Sequence, residues 1–111
     1  MMKLTAQTPI LLATQPADFR CGIDGLAARC RQRLKQEPRN GTLFVFINRR
    51  QTMLRTLAYD GSGFWLMTKR LSKGKFKGWP NDKTPLNKIA AAQLQIILSG
   101  NDPSQFQQAK C

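Results

Sequence analysis

Five consecutive apolar residues, Leu43-Phe44-Val45-Phe46-Ile47, are bounded by Asn40-Gly41 on one side and by Arg49-Arg50 on the other. A run this short and this rich in β-branched and aromatic side chains reads as a strand, and its lack of alternation implies burial on both faces. Such a strand belongs in the middle of a sheet. The chain has 111 residues, 41% of them apolar, which is enough for one core but not two. The expectation is a single α+β domain over residues 1–100, followed by a polar, glutamine-rich tail over residues 101–111.

The neighbours of that strand are legible in turn chemistry. Met53 to Tyr59 alternates as a second antiparallel strand, Asp60-Gly61-Ser62-Gly63 supplies a hairpin, and Phe64 to Arg70 returns as a third. Ser72-Lys73-Gly74-Lys75 marks another reversal, and Phe76 to Trp79 reads as a short edge strand whose lysines discourage sheet-to-sheet association. With Pro9 to Ala13 upstream, the architecture predicted is an antiparallel β-meander of about four to five strands. From Phe19 to Gln36, the positions of Ile23, Leu26, Ala27, Cys30 and Leu34 keep one face of a helix apolar, with Asp18 placed to cap it. Glu37-Pro38-Arg39-Asn40-Gly41 stops that helix. A C-terminal helix spans Ala90 to Ser99 and ends at Gly100. Thr84 to Lys88 has no clear assignment.

Charge narrows the partner. Lysine and arginine total 18 against 6 acids, a net charge of +12. Residues 20 to 77 hold 14 of those cations and only Asp24, Glu37 and Asp60, so +11 of the +12 belongs to the folded part. A field of this kind favours polyanions, with nucleic acid the leading partner. The candidate nucleic-acid contacts are Arg49 and Arg50 at the end of one strand, Lys69 and Arg70 at the end of its neighbour, and Lys73, Lys75 and Lys77 beyond. Paired arginines can fork onto phosphate or onto guanine edges. The alternatives are a solvated turn for Arg49-Arg50 and edge protection for the lysines. Arg29, Arg31, Arg33 and Lys35 read as a solvated helix face. Phe44, Phe46 and Trp65 read as core aromatics. Trp79, ahead of a proline at the end of the basic stretch, is either a lid over the core or an exposed platform.

Most enzyme designs do not fit. The chain has no histidine and no GxxxxGK[ST] loop. Asp18, Asp24, Asp60 and Asp82 fall at a cap, a helix start, a hairpin and a loop, where aspartate is a favoured structural residue. Asp24 and Arg20, four apart, read as a surface pair. Cys21, Cys30 and Cys111 have no CxxC spacing, so reduced thiols are expected, and neither metal nor cofactor. No apolar run approaches the ~20 residues of a membrane helix, and residues 1–14 lack the features of a secretion signal. A cytoplasmic location is expected.

Several of these segments occur together in one family. Asp18-Phe19-Arg20 with Gly22 and Asp24-Gly25-Leu26-Ala27, Gly41-Thr42-Leu43-Phe44-Val45-Phe46 with Arg49-Arg50, and Tyr59-Asp60-Gly61 with Gly63 form the first part of the match. Lys69-Arg70-Leu71 with Gly74-Lys75-Phe76, Trp79-Pro80, Gln93-Leu94 and Leu98-Ser99-Gly100 complete it, from about Ile10 to Asn101. In this order and spacing the chain resembles the TnpB-type accessory protein encoded beside the transposase in bacterial insertion sequences of family sixty-six, which is distinct from the RNA-guided nuclease of the same label. The resemblance implies a role in transposition beside a separate transposase, with DNA or the transposase-DNA complex as partner and no catalytic residues to carry over. The function expected is a non-catalytic accessory protein that binds DNA and helps assemble that complex. The alternative is a module that binds an acidic surface of the transposase without contacting DNA.

Overall fold

The computed structural model describes residues 7–81 and 83–100. Within them the chain runs β1 (Ile10–Ala13), a 3-10 turn (Phe19–Cys21), α1 (Gly22–Gln32), β2 (Leu43–Ile47), β3 (Met53–Tyr59), β4 (Phe64–Arg70), β5 (Leu86–Ile89) and α2 (Ala91–Leu98). The strands form one five-stranded sheet in the order β4-β3-β2-β1-β5, antiparallel except for the β1–β2 pair. The α+β class, the main helix and the C-terminal helix are as expected. The tail 101–111 and Asp82 lie outside the described residues.

All five residues of β2 are buried, and β2 is the middle strand. Its pleat divides the core into two halves. Phe44 and Phe46 pack with Leu57 under Leu26, Ala27 and Cys30 of α1. Leu43, Val45 and Ile47 pack with Leu54 and Ala58 under Leu94 and Ile97 of α2 and under Phe76. The sheet is thus covered on both faces, which is what a strand without alternation requires.

Two features of the predicted meander are different. β1 pairs parallel to β2, with Ile10 opposite Leu43, because α1 is the crossover between them. Phe76 to Trp79 is not a strand. Residues 71–81 and 83–85 instead cross one end of the sheet from the β4 edge to the β5 edge, with Gly74 at φ 80° and Gly78 at φ 72°, conformations outside a strand. The edge strand beyond β1 is β5, drawn from the stretch without a clear assignment. It covers the flank of β1, where Ile10 and Leu12 are fully buried.

The main helix is shorter than its apolar periodicity at both ends. Gly22, at φ 68°, turns the chain between the 3-10 turn and α1. At the other end Lys35 adopts φ 57° and the Gln36 amide donates to the Cys30 carbonyl at 2.8 Å, which closes the helix while leaving Leu34 buried. Trp65, read as a core aromatic, is 43% exposed, because α2 does not reach its position on edge strand β4. Trp79 is the lid: it packs on the core cluster and its indole N–H donates to the Ala13 carbonyl at 3.0 Å.

Candidate functional site

The register gathers the chain's reversals. Ala13 lies opposite Leu86, Ile47 opposite Leu54, and Met53 opposite Arg70, so residues 14–20, 48–52, 71–81 and 83–85 all meet at one end of the sheet. Six of the seven nucleic-acid candidates belong to the turn and crossing segment at this end or to the last residue of β4, and all seven are exposed.

Arg49 and Arg50 occupy the tip of the β2–β3 turn, where the Gln51 amide donates to the Asn48 carbonyl at 3.0 Å. The Asn48 side chain locks that turn. Its Oδ1 accepts from the amides of Thr52 at 2.9 Å and Met53 at 3.0 Å, and its Nδ2 donates to Thr52 Oγ1 at 3.0 Å. The crossing segment is tied to the same turn: the Leu71 amide donates to Thr52 O at 3.1 Å and the Phe76 amide to Gln51 O at 2.8 Å. Lys73 and Lys75 therefore lie on a loop fastened to the arginine turn, and Lys77 sits between Phe76 and the anchored Trp79. Arg70 closes β4 at this end. Lys69, one residue earlier, faces the opposite side of the pleat and lines a groove with Met67, Leu94 and Leu98.

Arg20 is a member of this cluster that the sequence reading did not include. Together with Asp18, Arg49 and Arg50 it lines a cleft of about 640 Å³ between the loop after β1 and the β2–β3 turn. Arg20 pairs with Asp18 rather than with Asp24. Its Nη2 lies 2.8 Å from Oδ2 and its Nε 3.0 Å from Oδ1, and the Asp18 carboxylate also accepts the Arg20 amide at 3.0 Å. The guanidinium holds the Asp18 carboxyl down at about 2, and the carboxylate raises the Arg20 pKa in turn. The cleft thus carries three guanidiniums against one carboxylate. Only the parallel β1–β2 pairing brings residue 20 beside residue 49. The signal available in sequence was Asp18-x-Arg20 at a helix entrance.

Two further arginines position this loop. Arg55, on β3, sets its guanidinium 5.0 Å from the centre of the Phe19 ring and donates to the Phe19 carbonyl at 2.7 Å. Arg29, read as part of a solvated face, is half-buried and donates to the Pro16 carbonyl at 3.1 Å, and burial lowers its pKa. The Ala17 amide completes the attachment by donating to the Ile47 carbonyl at 2.9 Å. Arg31 pairs with Glu37 at 3.5 Å. Among the described residues the ion pairs are this one and Arg20–Asp18, and neither draws on the seven candidate cations.

The Asp60 carboxylate is occupied structurally. Asp60 accepts at Oδ1 from the Ser62 amide at 3.0 Å, the Ser62 hydroxyl at 3.0 Å and the Gly63 amide at 3.1 Å, and at Oδ2 from the Trp65 indole at 2.6 Å. These bonds, the Ser62 amide first, hold its pKa far below the usual carboxylate range. Asp24 is exposed in the first turn of α1. Among the described residues no three His, Cys, Asp or Glu side chains gather as a metal site, and no helix is long and apolar enough to cross a membrane.

Comparison with known proteins gives a consistent result. The family described as "IS66 Orf2 like protein" matches residues 8–108. Two proteins of Sinorhizobium fredii (strain NBRC 101917 / NGR234) are similar over 93 residues, 84% of this chain. "Uncharacterized protein y4hO" is 42% identical with 80% of its own length covered, and "Uncharacterized protein y4jC" is 39% identical with 79% covered. No solved structure matches.

Proposed function

The chain belongs to the IS66 Orf2-like protein family, whose role is accessory to transposition, and from that premise we propose that it is a non-catalytic cytoplasmic protein that binds DNA through the cationic end of its sheet and helps assemble the transposase-DNA complex. The observation that carries this reading is the convergence of Arg20, Arg49 and Arg50 on one cleft, with Arg70, Lys73, Lys75 and Lys77 along the same end. Guanidiniums fork onto phosphate oxygens in pairs, and lysines add point charges. The Asn48 lock and the Arg29 and Arg55 anchors hold the two arginine-bearing loops before any ligand arrives, so little ordering entropy remains to oppose binding.

The test is a gel shift on duplexes carrying the element's terminal repeats and on scrambled duplexes, with a parallel pull-down of the purified transposase in the presence of nuclease. Salt-sensitive shifts that weaken when Arg49 and Arg50 are both changed to alanine support the proposal. A chain that retains transposase through nuclease treatment and shifts neither duplex is instead a protein-interaction module.

A further inference from the structure

α2 crosses its face of the sheet diagonally. Its N-terminal end lies beside Pro9 and Ile89, and Gly100, past its C-terminal end, lies against Leu71. Eight helical residues reach about 12 Å, whereas five strands are about 19 Å across. Among the described residues the β3–β4 corner of that face is therefore left uncovered. A groove of about 470 Å³ opens there, lined by Leu43, Leu54, Met67, Leu94 and Leu98, with Lys69 at its border. Met67 and Trp65, at 41% and 43%, are the exposed large apolar side chains among the described residues. The Trp65 ring is fixed by its bond to Asp60. Trp65, Met67 and Lys69 alternate along β4, so they share one face and mark an axis about 14 Å long from apolar to cationic.

We infer that this corner docks a short amphipathic helix of a protein partner, with its apolar side chains in the groove and an acidic side chain against Lys69. Fourteen ångströms correspond to about nine helical residues, enough for anchors at i, i+4 and i+7. Charge selects the occupant. Lys69 is the charged side chain of the lining and no carboxylate shares it, so an acidic flank is complemented. A second copy brings another +12 and meets like-charge repulsion. DNA offers nothing to an aliphatic floor, and the groove lies on a face of the sheet, away from the cleft of Arg20, Arg49 and Arg50. One chain can then hold DNA at the sheet end and protein on this face together. This surface stands independently of the DNA-binding proposal.

The test is a display selection of random 14-residue peptides on the full chain, followed by fluorescence anisotropy of the enriched peptides against three proteins: wild type, Met67→Gln and Lys69→Glu. Enriched peptides should combine helically spaced apolar residues with glutamate or aspartate. Met67→Gln should weaken them at least tenfold while leaving the circular dichroism and the salt slope of DNA binding unchanged. Lys69→Glu should be rescued by peptides whose acids are replaced by lysine. The inference is overturned by peptides that bind Met67→Gln as well as wild type, by selected peptides without an acidic bias, or by sedimentation of a wild-type dimer that Met67→Gln dissociates. The DNA reading fails separately, through the Arg49 and Arg50 variants, without touching this result.

Discussion

Changing Arg49 and Arg50 to alanine together should flatten the salt dependence of DNA binding by a calculable amount. The cationic end runs from the C-terminal end of β1 to that of β4, three inter-strand gaps of about 4.8 Å, or about 14 Å. At ~3.4 Å of duplex axis per phosphate on one strand, that width addresses about four phosphates. The slope of log affinity against log salt is then about −3.6, a loss of roughly 150-fold between 50 and 200 mM salt. Two lost phosphate contacts bring the slope to about −1.8, and the loss over the same interval to about 12-fold. Fluorescence anisotropy of a labelled duplex at four salt concentrations measures both slopes. Equal slopes for the variant and wild type, or a wild-type slope near zero, would refute the reasoning, because counterion release depends on how many phosphates are neutralised and on little else.

Asn48→Ala removes no charge but releases the turn that presents the arginines, so it should lower DNA affinity several-fold with the salt slope unchanged, and cost about 1–3 kcal/mol of stability from the bonds it leaves unmade. Phe46→Ala in the fully buried centre of β2 should cost about 3–5 kcal/mol, read as a lower urea midpoint at constant m value; a loss below about 1 kcal/mol contradicts the packing described. Burial pushes the Cys30 thiol up to about 12 from a usual value near 9, so the folded state keeps a proton that the unfolded chain gives up. That contribution is complete below about pH 9 and disappears as pH rises toward 12. The stability gap between wild type and Cys30→Ala should therefore narrow with pH across that window in denaturant titrations.

Local patterning was enough to specify β2, β3, β4, both helices and the hairpin at Asp60, because each rests on side-chain period or turn chemistry within a few residues; Asp18 caps the 3-10 turn rather than α1, whose N-cap is Cys21. It failed where a residue's state depends on a distant partner. Lys73 to Trp79 reads as a reversal and a short strand, yet the need to pass from one sheet edge to the other makes it part of a crossing loop. Thr84 to Lys88 carries little strand signal, yet its last three residues join Ile89 as β5 because β1 has an apolar flank to cover. Trp65 looks like core and is exposed because α2 lies elsewhere on that face.

The amino-acid sequence by itself determined that this chain is a basic α+β protein with a doubly buried central strand and arginines at a turn, since composition, charge and periodicity are properties of the residues alone. Only the tertiary structure decided which cations lie together. The parallel β1–β2 pairing places Arg20 beside Arg49 and Arg50, and the pleat separates Lys69 from Arg70. Electrostatic cooperation depends on distances of a few ångströms across the fold, and those are set by register and crossover, which no local stretch of sequence contains.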